Sequence, residues 1–345
     1  MATIYDVAIL AGVSPKTVSR VINGDAAVSR DTRSAVEKAI AELGYIPSSA
    51  ARAMRSQRSG LIGLITGATA CGADAPRGRG LPDMFLVRGI REYCTAQGKM
   101  LMAADTGGDC GTLDGIIRRF MEYRVEGILY VAEYLQEVCL PDIAAKVPLV
   151  LANCFDGAAA PAVIPDDESG QYGLVKRIIE HGHRRIAYIT LRPDMEAVKL
   201  RVAGYKKALV EAGISVDENL IRQGSSDGRF VSRLLSDAVG GLLALPERPS
   251  VICCGNDEMA VRVYGILRTA GLRIPEDISV AGYDNQLTIA ETLYPPLTSA
   301  ELPYVEMGAR AAERLMELIR QGAGSGDTVE KMRGGVVWRQ SVVDV

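Results

Sequence analysis

Counting about 100° per residue along a helix, Lys16, Ser19, Arg20 and Asn23 fall on one side of a short segment whose other side is Val18, Val21 and Ile22. Lysine and arginine donate to the O6 and N7 edge of guanine in the major groove. Hydroxyls and helix amino ends suit phosphate oxygens, without carrying sequence information. A basic, hydroxyl-bearing face backed by apolar residues is therefore suited to lie against DNA. The plainer alternative is a solvated face of a generic helical bundle.

Two other groups of reactive residue types need weighing. Gly224-Ser225-Ser226-Asp227-Gly228 has the spacing of a G-x-S-x-G nucleophile turn. The two histidines of the chain, His181 and His183, both precede that serine, so none can follow it in the Ser, Asp, His order of that hydrolase fold. Catalysis is not expected. The same histidines flank Gly182 with no Cys or carboxylate set near them, too few ligands to complete a metal site. No G-x-x-x-x-G-K-[ST] loop occurs and no G-x-G-x-x-G follows a strand, so no cofactor is expected either.

The elements that must position the basic face announce themselves through caps. Thr3 with Asp6 matches a helix start, the hydroxyl accepting a free amide while the carboxylate sits near the positive helix end. Ile4, Val7, Ala8 and Ala11 make one apolar stripe, and Gly12 suits a left-handed cap. Ser14 caps a second helix with Pro15 at its first position, where a missing N–H costs nothing. A third helix fits Ser29 to Leu43, with Val36, Ile40 and Leu43 inward and Gly44 as its stop. Residues 46–58, IPSSAARAMRSQR, are too short for a stable helix alone, because nucleation costs more than one or two turns return. This segment is expected to order on DNA.

The run IYDVAxxAGVSxxTVSRVIN, followed by VSxxTRxxVxxAIxELGYIP, resembles the DNA-binding head of the lactose/galactose repressor (LacI/GalR) family of bacterial regulators. The likeness continues at lower density along the chain. It implies that Pro15, Lys16 and Arg20 meet base edges, while Thr3, Ser14, Thr17, Ser19, Asn23, Ser29 and Thr32 contact phosphates. Pro15 departs from the larger polar or aromatic side chain of many relatives, which leaves Lys16 and Arg20 as the readers. The resemblance also makes the following segment a hinge helix that pairs with its dimer mate. Met54 would enter the minor groove in place of the usual Leu, with Arg52 and Arg55 beside it at phosphates.

Composition agrees with a basic head on a larger body. Residues 1–60 carry eight Lys or Arg against five Asp or Glu, and the remaining 285 carry 31 against 37. The electrostatic footprint for nucleic acid is thus confined to the head. A length of 345 with 48% hydrophobic residues suffices for a small head and two ordinary domains. There is no signal-peptide pattern and no apolar run of membrane-spanning length, so a soluble cytoplasmic protein is expected. Cys71, Cys94, Cys110, Cys139, Cys154, Cys253 and Cys254 form no C-x-x-C pair and read as buried thiols in a reducing compartment.

Beyond Gly60, short apolar runs alternate with helix-length segments, the pattern of a doubly wound parallel sheet. LIGLIT at 61, MLMAAD at 100, GILYVA at 127, PLVLANC at 148, RIAYIT at 185, SVICCGND at 250 and ISVAGYDN at 278 are the strand candidates. About eleven strands in all would be too many for one small sheet, so two lobes are expected, with ligand outside the carboxyl ends of the strands. RVAGY at 201–205, CGNDEMA at 254–260, AGYDN at 281–285 and PPLT at 295–298 resemble landmarks of the family's two-lobed, periplasmic-binding-protein-like α/β core. By position, Asn153, Arg201, Asn256 and Asp284 would line an effector cleft, joined by Glu258 and Tyr304. Their acceptors and donors suit the vicinal hydroxyls of a sugar. The plainer alternatives are helix capping for Asp257 and Asp284 and a structural ion pair for Arg201.

The expected organisation is a helix-turn-helix head at 1–45, a hinge at 46–59, a first lobe from 60–160 and 298–325, and a second lobe from 161–297 and 326–345. The resemblance implies a ligand-responsive repressor, dimeric on pseudo-palindromic operator DNA and controlled by a sugar or sugar derivative. NQLTIAETLYPPLTSAELPYVEMG looks more like regulators of carbohydrate uptake than purine regulators. A sugar-binding receptor without a DNA role is the runner-up. The stretch GATACGADAPRGRGLPDM is longer and richer in Gly than the usual family loop beside the effector mouth, and it either reshapes the pocket or forms a surface excursion.

Overall fold

Each of the three amino-terminal helices begins at the hydroxyl that predicts it. Helices α1 (Ile4–Leu10), α2 (Pro15–Ile22) and α3 (Arg30–Leu43) are capped by Thr3, Ser14 and Ser29, and Gly44 ends α3 in the left-handed conformation at φ 57°. Thr3 and Asp6 satisfy each other's backbone N–H groups, and Pro15 occupies the first turn of α2. Val7, Ala8, Val18, Val21, Val36 and Ala39 are the buried core of this unit, with Ile40 and Leu43 packed on its edge.

The computed structural model describes residues 2–46, 58–67, 81–107, 109–157, 160–225, 232–321 and 329–345. Two units divide the chain, Met1–Gly60 and Leu61–Val345. In the second unit, β1 (Leu61–Thr66), α4 (Leu81–Ala96), β2 (Met100–Asp105), α5 (Leu113–Glu122), β3 (Ile128–Glu137), β4 (Leu149–Phe155) and β5 (Ala162–Pro165) come first. Then follow α6 (Asp167–Glu180), β6 (Ile186–Thr190), α7 (Glu196–Glu211), β7 (Ile221–Gln223), α8 (Ser232–Leu243), β8 (Val251–Cys254), α9 (Asp257–Thr269) and β9 (Ser279–Asp284). The chain closes with α10 (Leu287–Ala290), β10 (Thr298–Glu301), α11 (Tyr304–Gln321), β11 (Val329–Met332) and β12 (Val336–Val337).

These strands form two six-stranded sheets, ordered β11-β5-β4-β3-β1-β2 and β12-β10-β9-β8-β6-β7. All pairs are parallel except β10 with β12. The inner strands are covered on both faces, which explains their continuous apolar runs: in β8, Val251 and Cys253 enter one cluster while Ile252 and Cys254 enter the other. In β3, Ile128 and Tyr130 pack with α5, while Leu129 and Val131 share a cluster with Leu86 of α4 and Ala311 of α11. Glycine lets α4 and α11 approach closely. A Cβ on Gly89 would stand 1.9 Å from the Val305 carbonyl oxygen, and one on Gly308 2.0 Å from that of Leu86.

The lobe boundaries differ from 160/161, 297/298 and 325/326. β5 and β11 pair with each other in the first sheet, whereas β10 lies beside β9 in the second. The chain therefore changes lobe after Pro165, after Glu301 and between Met332 and Val336. Strands of two to four residues carry no usable periodicity, and only a hydrogen-bonded neighbour decides which sheet each one joins. Cysteine burial also departs from expectation. Cys94, Cys154, Cys253 and Cys254 are buried free thiols, but Cys139 is exposed, pointing away between buried Val138 and half-buried Leu140. Cys71 lies outside the described residues, as does most of GATACGADAPRGRGLPDM. Among the described residues no helix is long and apolar enough to cross a membrane.

Candidate functional site

On α2, Val18 and Val21 are buried while Lys16, Arg20 and Asn23 are exposed, so the basic face points outward as its spacing requires. Pro15, Thr17 and Ser19 are half-buried along the same helix. Arg20 is not idle: its Nε stands 3.6 Å from Asp25 Oδ2, an exposed pair of little energetic weight that DNA phosphate or base could displace. The Asn23 amide donates to Ser19 Oγ over 3.5 Å. Ser14 and Ser29 each accept the amide of the third residue on and also pair with a hydroxyl, Thr17 Oγ1 and Thr32 Oγ1, both at 2.9 Å. The Arg33 guanidinium donates to the Asp25 backbone oxygen at 2.8 Å, bracing the turn between α2 and α3. Arg52, Met54 and Arg55 lie outside the described residues.

The core unit gathers a second polar group at Arg201 of α7. Its Nε donates to Asp167 Oδ1 at 2.6 Å, its Nη1 donates to the Gly255 backbone oxygen at 2.7 Å, and its plane lies 3.8 Å from the centre of the Tyr283 ring. Arg201 is 4% exposed and Asp167 1%. Burial works against the Arg201 charge, but the Asp167 carboxylate outweighs it and holds the guanidinium protonated well above its ordinary range. Burial likewise pushes the Asp167 carboxyl up, with Arg201 acting against it.

Asp284 closes β9 at φ 110°, followed by Asn285 at φ 53°, two strained positions in succession. Burial pushes its carboxyl well up; Arg201 opposes the shift, and the neighbouring Asp257, Asp167 and Glu258 add to it. Among the described residues the Asp284 side chain takes no hydrogen bond. The Tyr304 hydroxyl is raised by burial and by Asp284, which puts it in the same field. Asn256 caps α9, its Oδ1 accepting the Met259 amide at 2.9 Å, which leaves its side-chain amino group for other partners.

Five of the six expected residues thus share one region: Arg201, Asp284 and Tyr304 directly, Glu258 through its effect on Asp284, and Asn256 beside Gly255. Asn153 stands apart on β4 of the first sheet, 2% exposed at φ 58°, with its amide donating to the Ala132 backbone oxygen at 3.1 Å. Asp257 is no helix cap. Its Oδ1 accepts from Ser299 Oγ at 2.6 Å and its Oδ2 from the Gln286 amide at 2.7 Å, tying α9 to two neighbouring segments. Burial pushes this carboxyl up to about 6, with both hydrogen bonds opposing.

The two histidines are both engaged. His183 is buried with Nδ1 2.7 Å from Ser250 Oγ and Nε2 2.9 Å from the Val343 oxygen. His181 stacks on Trp338 at 4.1 Å and pairs with Asp344. Ser226, Asp227 and Gly228 lie outside the described residues. Among the described residues no group of three or more His, Cys, Asp or Glu could hold a metal ion.

Residues 3–48 match the family described as bacterial regulatory proteins, lacI family, and residues 175–342 match the periplasmic binding protein-like domain. The HTH-type transcriptional repressor PurR of Vibrio atlanticus is 38% identical over 323 residues, 93% of this chain and 92% of its own. The chain belongs to the lacI family. A PurR repressor of Photobacterium profundum is 33% identical over 348 residues, covering 100% of both. Among solved structures, the Lac repressor dimer bound to operator and the anti-inducer ONPF superposes with a TM-score of 0.80 at 25% identity over 99% of each chain. The transcriptional regulator CelR in complex with cellobiose gives 0.64 at 30% identity, over 99% of this chain and 100% of that one. This lacI-family chain is a ligand-responsive, DNA-binding transcriptional regulator with a helix-turn-helix head and a two-sheet core.

Two members of the core cluster escape a reading of the sequence. Asp167 follows Asp166, which is the cap of α6, and a second acid in a first helical turn looks like ordinary dipole compensation. Tyr283 lies in a strand and reads as core. Nothing local marks either one, since their partner Arg201 is remote in the sequence. In the head, Asp25 as a competitor for Arg20 and the 66% exposed ring of Tyr5 were equally unmarked.

Proposed function

We propose that this lacI-family regulator represses genes of carbohydrate uptake or catabolism, as a cytoplasmic homodimer on pseudo-palindromic operator DNA and without enzymatic activity. Lys16 and Arg20 read base edges beside Pro15. Thr3, Ser14, Thr17, Ser19, Asn23, Ser29 and Thr32 hold phosphates, and Arg52, Met54 and Arg55 serve the hinge. The observation that carries this reading is the outward placement of Lys16 and Arg20 over buried Val18 and Val21. Two such heads are needed, because one short helix meets too few base pairs for specificity. Selection of duplexes from a random pool by the full-length protein tests it. A pseudo-palindromic site is the expected product, and no enrichment over competitor DNA would refute the assignment.

The effector sits at Arg201, Asn256, Glu258, Asp284 and Tyr304, with Asn153 contributed from the other lobe. Its binding changes the lobe angle, and with it the spacing at which two hinges order. A coupling of about 1–3 kcal/mol corresponds to roughly fivefold to 150-fold in operator affinity. The acceptor-rich set supports a sugar; the names of the relatives, PurR and CelR with cellobiose, do not agree on one class. A thermal-shift panel of mono- and disaccharides and purine bases separates the classes, since a ligand at about 100 times its Kd adds about 2.7 kcal/mol. Stabilisation by purines alone would overturn the carbohydrate reading.

A further inference from the structure

We propose that Asp167 makes this effector site one for ligands without an anionic group, by compensating the Arg201 guanidinium inside the protein. The inference rests on the reading of Arg201 and Asp284 as effector-site residues. An arginine in a ligand cleft ordinarily invites a carboxylate or phosphate, because its planar fork matches two oxygens at once. Here two of its donors and its charge are already engaged. Nε is held by Asp167 Oδ1 at 2.6 Å, Nη1 by the Gly255 oxygen at 2.7 Å, and the Tyr283 ring covers the guanidinium plane at 3.8 Å. Asp167 Oδ2 is buried with no hydrogen-bond partner, so the carboxylate is spent on the arginine alone.

Around that arginine stand further acids. Asp284 raises the Arg201 ionisation through its charge, and Glu258 acts on Asp284 in turn. Among the described residues neither the Asp284 nor the Glu258 side chain accepts a hydrogen bond. Among the described residues, a phosphate brought here would face the Asp284 and Glu258 carboxyls and an arginine already compensated by Asp167, with little to offset its desolvation. A neutral, donor-rich ligand meets what remains: the Asp284 and Glu258 oxygens as acceptors, and the Asn256 amino group as a donor. Asp167 is therefore a specificity-determining residue that acts through Arg201.

Calorimetric titration of the full chain with inorganic phosphate, at ionic strength held constant with chloride, tests this without knowledge of the effector. Heats from wild type and Arg201→Lys should coincide, because any phosphate taken up elsewhere is common to both. Asp167→Asn removes the compensating charge and should gain saturable phosphate binding, about tenfold or more tighter than wild type, that disappears when Arg201→Met is added. Phosphate binding by wild type that Arg201→Lys removes would overturn the proposal, as would a folded Asp167→Asn with no gain. Should Asp167→Asn fail to fold by circular dichroism, Asp167→Ser replaces it, and the wild-type comparison decides on its own. Failure of the effector-site reading itself shows elsewhere, as an operator response to the ligand from the thermal panel that Arg201→Lys leaves unchanged.

Discussion

The two arginines that matter most are held in opposite ways. Arg20 stands half in solvent on α2, a helix specified by its own cap, with an ion partner at 3.6 Å only five positions along the chain. Arg201 is buried, and the groups that hold it come from 34 and 54 residues away. The head keeps its charge available for a polyanion and relies on little but local structure. The core spends its charge internally and uses the whole second lobe to do so. A surface that meets DNA needs loosely held cations, whereas a buried cation needs its counter-charge supplied by the fold itself.

Removing one side chain from each region should separate them most clearly. Arg201→Ala strands Asp167 in a buried site and should cost about 3–5 kcal/mol of stability in denaturant unfolding, along with the effector response. A loss below about 1 kcal/mol would mean that the pair is not the anchor described. Gly89→Ala, whose Cβ would meet the Val305 oxygen at 1.9 Å, should cost about 1–3 kcal/mol by prying α4 from α11. An unchanged Tm would show that the helices slide apart freely. Lys16→Ala or Arg20→Ala should leave unfolding within about 0.5 kcal/mol of wild type. Either should remove about 1–3 kcal/mol of discrimination between operator and mutated operator at fixed salt. Full discrimination in either variant would remove the contrast between a working surface and a working interior.

The smallest effect concerns pH. Burial of His183 disfavours the charged ring and lowers its pKa from 6.5, with its bond to the Val343 oxygen opposing. The unfolded chain takes up the proton first, so the contribution of His183 is whole above 6.5 and declines as pH falls below it toward the folded value. The stability gap between wild type and His183→Asn should shrink between about pH 7.5 and about pH 5.5. A gap that widens would place the ring in a site that favours its charge.

Legibility followed the distance over which each feature is specified. Thr3, Ser14 and Ser29 could be read as caps because each bonds three residues along, within one turn. Strands β1, β2, β3, β4, β6, β8 and β9 were readable from their apolar runs. Strands β5, β7, β10, β11 and β12, of two to four residues, were not, and with four of them, β5, β10, β11 and β12, went the points where the chain changes lobe. Asn256 reads by resemblance as a cleft residue, and what the structure displays is its role as the cap of α9. The place of Asp257 after a strand suggests a cap, yet its carboxylate serves Gln286 and Ser299, partners too far along the chain for local pattern to show.

By itself the sequence determined the head: three capped helices, an apolar interior and an outward basic face, because each depends on residues within a turn or two. It also determined that parallel sheets follow, through apolar runs that only two covered faces can accept. Tertiary structure alone decided which sheet the short strands enter, that Asp167 neutralises Arg201, and that Asp284 finds no hydrogen-bond partner among the described residues. Those outcomes depend on contacts between segments tens of residues apart, whose electrostatic consequences appear only when folding brings them into one low-dielectric space.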